Sequence, residues 1–217
     1  MLAAVYDGDA KKMAELIRQD PGFKVNMAVD GDGATLLHHA CQGDSRSAVI
    51  PLLLAHPDID VNVKNNFGQT PFYFVCTGFA SCAREMLKDS RVKVNEPAKD
   101  GYTPLWYAAY FGFLGVIKVW IASGREIDLG KPGDVSKTDA IGGAKKKGKT
   151  DVVTLLERFK SDASKTRSEV RMELGINGQF YNSYYSPFYS YSRPFSISVH
   201  DLLHFLPPAI FSLSQFN

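Results

Sequence analysis

Cysteine is scarce in this chain of 217 residues: three thiols, Cys41, Cys76 and Cys82, with no CxxC pair among them. So small and odd a number excludes a disulfide-stapled secreted scaffold. Neither sign of charge is in excess. Twenty-five Lys and Arg against 23 Asp and Glu leave a net charge of +2, so the charge balance gives no reason to expect nucleic acid as a partner. A run of roughly 18 apolar residues, the length of a membrane helix, is also missing. The closest stretch, residues 202–213, is broken by Pro207 and Pro208, and no signal-like apolar segment precedes the first acid at Asp7. These absences point to a soluble, reduced, cytoplasmic chain, with the nucleus left open, and to no membrane partner.

What is present divides unevenly. Residues 1–175 mix charged and apolar side chains at a normal globular density, whereas residues 176–217 are dominated by Ser, Phe, Tyr, Pro and Leu and carry only two formal charges, Arg193 and Asp201. Such a tail has little to hold it in a stable fold. It reads as a disordered low-complexity segment, a non-native extension such as a translated intron, or a contact region for something else.

Self-alignment exposes a repeat. The segments GATLLHHACQGD, GQTPFYFVCTGF and GYTPLWYAAYFG begin at 33, 68 and 101, and their threonines, Thr35, Thr70 and Thr103, stand 35 and 33 apart. A second marker keeps the same period: Asn26, Asn62, Asn95 and then Asp128 are spaced 36, 33 and 33. Within a unit, Asp30 and Gly33 suit the first and last places of a four-residue turn. Thr70-Pro71 and Thr103-Pro104 suit a helix start, with a capping hydroxyl followed by a residue that needs no N–H. Small residues such as Ala40, Ala108 and Ala109 let a neighbouring helix come close, and Gly112 suits a left-handed stop. A second amphipathic helix follows, carrying Val49, Ile50, Leu52 and Leu53 in one unit and Val116, Ile117, Trp120 and Ile121 in another. One such unit cannot bury its apolar face, so units must stack.

Period, Thr-Pro-Leu-His-like segment and terminal Val-Asn together resemble ankyrin repeats, over roughly residues 2–160. The resemblance implies an all-α solenoid of stacked helix-turn-helix units with short β-turn or hairpin fingers. Read this way, an ankyrin-repeat domain covers 1–162: a partial unit at 2–29, full units at 30–64, 65–97 and 98–130, and a degenerate cap at 131–160 that keeps Thr138, Ala144 and Gly148. A charged terminal helix follows at 163–175, then the tail at 176–217. Departures from the family pattern are Leu36 in place of proline, and Tyr73 and Trp106 where the family has the histidine kept here as His38.

Three patterns suggest chemistry and are outweighed. Gly143-Ala-Lys-Lys-Lys-Gly148-Lys149-Thr150 matches the phosphate-cradling G-x-x-x-x-G-K-[ST] loop, which would make the chain an NTP-binding protein. That loop needs a buried strand before it, and KPGDVSKTDAI is not one; the repeat register instead puts Lys145–Lys147 on the first helix of the cap. His200 and His204 have the spacing of a zinc pair, without a third ligand. Cys41 and Cys76 hold equivalent repeat positions and read as small core residues. His38 is expected to bond to backbone in its turn, and Trp106 and Trp120 to lie in or near the core. No cofactor, metal or catalytic constellation is expected.

What remains is a surface. In ankyrin-like arrays the turn tips and first helices line a concave groove, and the resemblance implies that a protein partner binds there, to a monomer. Carried over unit by unit, the contact residues are Asp32 and Gln42, then Asn66, Phe67 and Gln69, then Lys99, Asp100, Tyr102, Tyr110 and Phe111, with Gly31, Ala34 and Thr77 beside them. Tyrosine is a favoured interface anchor. The function expected is a non-catalytic interaction module, a scaffold or adaptor; the alternatives are a regulatory fragment of a larger signalling protein and, more distantly, the NTP-binding protein.

Overall fold

The computed structural model describes residues 1–20, 22–130 and 138–176. His200, His204 and the tail beyond Ile176 lie outside the described residues, and with them the zinc-pair and tail readings.

Helices come in pairs along the chain. α1 (Leu2–Asp7) and α2 (Ala10–Gln19) make the incomplete first unit. α3 (Leu36–Ala40) is followed by a 3₁₀ segment, Asp44–Val49, that runs into α4 (Ile50–Leu54). α5 (Pro71–Val75) pairs with α6 (Ala80–Lys88), α7 (Pro104–Phe111) with α8 (Leu114–Ser123), and α9 (Ala140–Lys146) with α10 (Thr150–Ser161); α11 (Ala163–Glu173) follows alone. The first members of the pairs stack in one row, α1, α3, α5, α7, α9, and the second members in another. Among the described residues the architecture is all-α, and the only β pairing is one isolated bridge, Ala28 with Thr35.

Local chemistry accounts for where the helices start. Thr70 Oγ1 accepts the Tyr73 N–H at 3.3 Å and Thr103 Oγ1 the Trp106 N–H at 3.2 Å, each with proline at the next position. Gly112 ends α7 at φ 84°, a left-handed conformation that a Cβ would strain. Two expectations change in detail. The second helix of the first complete unit is split, because Pro51 has no N–H to give and is accommodated in the first turn of α4, while the residues before it tighten into 3₁₀. In the last unit Asp139 caps the helix, accepting the Gly142 N–H at 2.7 Å, and Thr138 instead receives the Trp106 indole N–H at 3.5 Å.

The asparagine marker explains itself in three dimensions. Asn26 donates to the Asp58 carbonyl (2.7 Å) and accepts from the Asp60 N–H (2.9 Å). Asn62 repeats this with Arg91 (2.9 Å) and Lys93 (2.7 Å), and Asn95 accepts from the Asp128 N–H at 3.2 Å. Each asparagine thus ties its loop to the loop of the next unit, satisfying backbone groups that no helix or sheet would. Apolar burial does the rest. Trp120 is fully buried, edge-on to Phe72 of the preceding unit at 5.0 Å, with its indole N–H on the Glu126 carbonyl at 3.1 Å.

The charged terminal helix docks. From α11, Arg167 and Arg171 donate to the Ile121 and Ala122 carbonyls at the end of α8 (3.2 and 2.7 Å), Val170 is buried, and Glu173 pairs with Lys118. Arg171 thus occupies the Ala122 carbonyl, which the end of α8 leaves without a backbone donor, and Arg167 adds a second bond to the Ile121 carbonyl, which already accepts the Gly124 N–H.

Candidate protein-interaction surface

The face formed by the turn tips and the first-row helices gathers most of the residues singled out from the sequence. Its fingers are linked backbone to backbone: Asn66 N–H to the Asp32 carbonyl at 2.8 Å, and Lys99 N–H to the Phe67 carbonyl at 2.9 Å. Asn66 also donates from its side chain to the Gly31 carbonyl at 3.0 Å, and Asp100 accepts the Tyr102 N–H at 3.1 Å. Gly31, Asp32, Asn66, Phe67, Lys99 and Asp100 are exposed, while Gln42 and Thr77 are half-buried. Two residues are chiefly structural. Gln69 accepts from His38 Nε2 at 3.1 Å and from Asn65 Nδ2 at 3.2 Å, and Ala34 is 2% exposed beneath its turn, not on the surface expected for it.

The aromatic residues concentrate on α7 and its approach. Tyr102, Trp106 and Tyr110, four apart, form a column of stacked rings, with centroids 4.2 Å and then 4.6 Å apart and ring planes within 29° and 21°. Phe111 is 46% exposed and leans on Tyr107 at 4.5 Å; Phe67, 54% exposed, stands on the neighbouring finger. Trp106 is half-buried, near the core and not within it, and Tyr107 joins the cluster; neither was among the contact residues expected from sequence. The signal for Trp106 was the four-residue spacing, which puts i and i+4 on one helical face. Lys147, from the next unit, holds its ammonium 4.8 Å from the Tyr110 ring centre, within cation–π range.

The phosphate-loop pattern has a different use. Residues 143–146 lie in α9 and Gly148 is its left-handed end at φ 65°. Gly143 faces Trp106: a Cβ there would come within 3.1 Å of the indole Nε1. Lys149 lays its methylene stem along Gly112. The glycines therefore serve helix packing and termination, and residues 143–146 form a helix, not an open loop around an anion.

No metal-holding group of three or more His, Cys, Asp or Glu is found among the described residues. His38 sits wholly in the interior, as neutral imidazole: Nδ1 accepts the Thr35 N–H at 3.1 Å and Nε2 donates to the Gln69 carbonyl at 3.1 Å. Loss of solvent pushes its pKa down to about 4. Burial raises all three thiols, Cys82 to about 12, so none is a ready nucleophile. No helix among the described residues is long and apolar enough to cross a membrane.

Known proteins share this pattern. Residues 1–95 and, overlapping them, 45–131 match the family described as ankyrin repeats (3 copies). Alpha-latrotoxin-Lg1a of Latrodectus geometricus is 37% identical over 112 residues, 51% of this chain and 8% of the toxin. The human SMC5-SMC6 complex localization factor protein 1 is 37% identical over 98 residues, 45% of this chain and 9% of that protein. A putative ankyrin repeat protein of Rickettsia bellii is 28% identical over 119 residues, 55% of this chain and 64% of its own length. The chain thus spans less than a tenth of the longer relatives it resembles. Ankyrin repeats are generally protein–protein interaction modules, and the family is typically non-catalytic. With matched units over residues 1–131 and a paired-helix stack to go with them, this chain belongs to the ankyrin-repeat family.

Proposed function

We propose that the chain is a scaffold or adaptor that binds a protein partner on the face built from its turn tips and first-row helices. The observation that carries the reading is the concentration of aromatic side chains on α7, with Phe111 exposed beside Tyr110 of the Tyr102–Trp106–Tyr110 column and Phe67 exposed on the adjoining finger. Large, rigid rings on a stack of short helices lose little freedom on binding, so a few of them supply much of the affinity. Asn66, Lys99 and Asp100 supply polar contacts on the fingers, Asp32 and Gln42 extend the face to the first complete unit, and Gln69 acts from below by holding its finger. The cytoplasm is the working compartment, with the nucleus open, and the binding unit is a monomer.

Affinity capture from a cell extract tests this. Chain carrying Phe111→Ala and Phe67→Ala, which leave the stacked column intact, is compared with the unaltered chain, helical content being matched by circular dichroism. A protein retained by the unaltered chain and released by the variant supports the reading; identical retention by both makes the patch structural and sinks it. A second reading, a regulatory part of a longer signalling protein, is favoured by the small share that the similar stretch makes up in the toxin and the localization factor. Transcript sequence continuing past Gly175 into an effector domain would support that one.

A further inference from the structure

The column on α7 has unusual electrostatics for an aromatic patch. Tyr102 and Tyr110 stack on Trp106 from four residues before and four residues after it, so both faces of the indole are taken. One face of Tyr110 is occupied by that stack, and the Lys147 ammonium lies over the ring as well. An aromatic ring is negative on its faces and positive around its edge. With contacts on both sides of Trp106 and of Tyr110 made within the protein, these two rings are left with their edges to offer.

Positive charge borders it. Lys146 and Lys147 are exposed at the end of α9, and Lys149 follows with its stem on Gly112. Lys145 is excluded, since Glu157 holds it at 2.7 Å. Asp139 and Asp100 keep their charge, but they stand away from these lysines, Asp139 at the start of α9 and Asp100 two residues before Tyr102. Asp151, two residues past Lys149, offsets one of the three lysines.

We infer that the partner element docking at the α7–α9 end is an acidic protein segment, its carboxylates facing Lys146, Lys147 and Lys149 and the outward edges of the Tyr102–Trp106–Tyr110 column, with an apolar side chain against Phe111. The inference rests on the protein-binding reading above and names the chemistry of the partner. A single-stranded nucleic acid is also anionic, but it gains from aromatic residues by stacking bases on free ring faces. Here the faces of Trp106 and Tyr110 are occupied, which favours carboxylates on a peptide beside the lysines.

Selection of a short random-sequence peptide library on the immobilised full chain tests the assignment. The comparison protein carries Lys146→Glu and Lys147→Glu, leaving the Lys149 packing on Gly112 untouched, and Lys11→Glu with Lys12→Glu at the far end of the array is the control. Selected peptides enriched in Asp and Glu, binding the unaltered chain and the control alike and the Lys146/Lys147 variant about tenfold more weakly, are the expected result. Neutral or basic selected peptides, or acidic ones indifferent to the Lys146/Lys147 change, overturn it. Oligothymidylate binding more tightly than any selected peptide, and lost in the same variant, overturns it in favour of nucleic acid. Failure here with a positive capture result leaves the protein-binding face standing and removes only its acidic partner.

Discussion

His38 shows how one side chain couples the units to pH. Its folded pKa is pushed down to about 4 because the ring is buried, a loss of solvent that the Gln69 carbonyl, which favours the charged ring, offsets only in part. An unfolded histidine titrates at about 6.5, so in that interval the unfolded chain binds a proton that the folded chain refuses. Stability from this residue is complete above about pH 6.5, declines as pH falls toward about 4, and levels off below that. The gap is worth on the order of 3 kcal/mol. Urea denaturation at stepwise lower pH is expected to show the decline, and His38→Gln to flatten it. Asp30, held below the usual carboxylate range first by the Ala34 N–H and then by His39, adds a loss only at still lower pH.

Gly143 is a second residue-scale test. Its missing Cβ lets the Trp106 indole approach, so Gly143→Val is expected to destabilise the chain by about 1–3 kcal/mol through overpacking. Thermal unfolding reads the loss, and near-ultraviolet circular dichroism reads the disturbed tryptophan. An unchanged melting temperature would mean that the α7–α9 packing tolerates the branch.

At the scale of elements, α11 behaves as the closing piece of the stack. Arg167 and Arg171 reach back to the last carbonyls of α8, and Val170 covers apolar surface there. Arg171→Ala is expected to cost about 1–2 kcal/mol, the worth of a charge-assisted hydrogen bond to a carbonyl otherwise left unsatisfied. Hydrogen exchange is the measurement, with protection expected to fall over Leu114–Ser123 while α3 to α6 stay as they were, because each unit of a solenoid depends on its neighbours. Uniform loss across the array would contradict that locality. Helix starts are the part of this level that sequence exposes best. Thr70-Pro71 and Thr103-Pro104 carry the cap and the missing N–H in adjacent letters, whereas the displacement from Thr138 to Asp139 is invisible, since both residue types cap helices equally well.

For the molecule as a whole, the prediction is negative and sharp. Titration with a labelled nucleotide triphosphate and magnesium is expected to give no saturable binding in the micromolar range, because residues 143–146 are spent on helix α9 and Gly143 on Trp106. Saturation there, abolished by Lys149→Ala, would return the phosphate-loop reading.

The linear order of residues was enough to determine the repeat, its period, the stacking and the apolar faces of the second helices, such as Ile50 and Leu53 or Ile117 and Trp120, because these depend on local spacing and on apolar faces that must be covered wherever the chain goes. The inter-unit role of Asn26, Asn62 and Asn95 was legible as a marker but not as a bond, since its partners lie about one unit further along the chain. The surface depended most on tertiary structure. Whether Trp106 is core or half-exposed, and whether Tyr110 offers a face or an edge, is decided by which side chains of α7 and α9 meet. Ring stacking at 4.2 and 4.6 Å and the Lys147 ammonium over Tyr110 come from that meeting. Those contacts set the sign of the charge shown to a partner, and an aromatic residue carries both signs until its neighbours cover one.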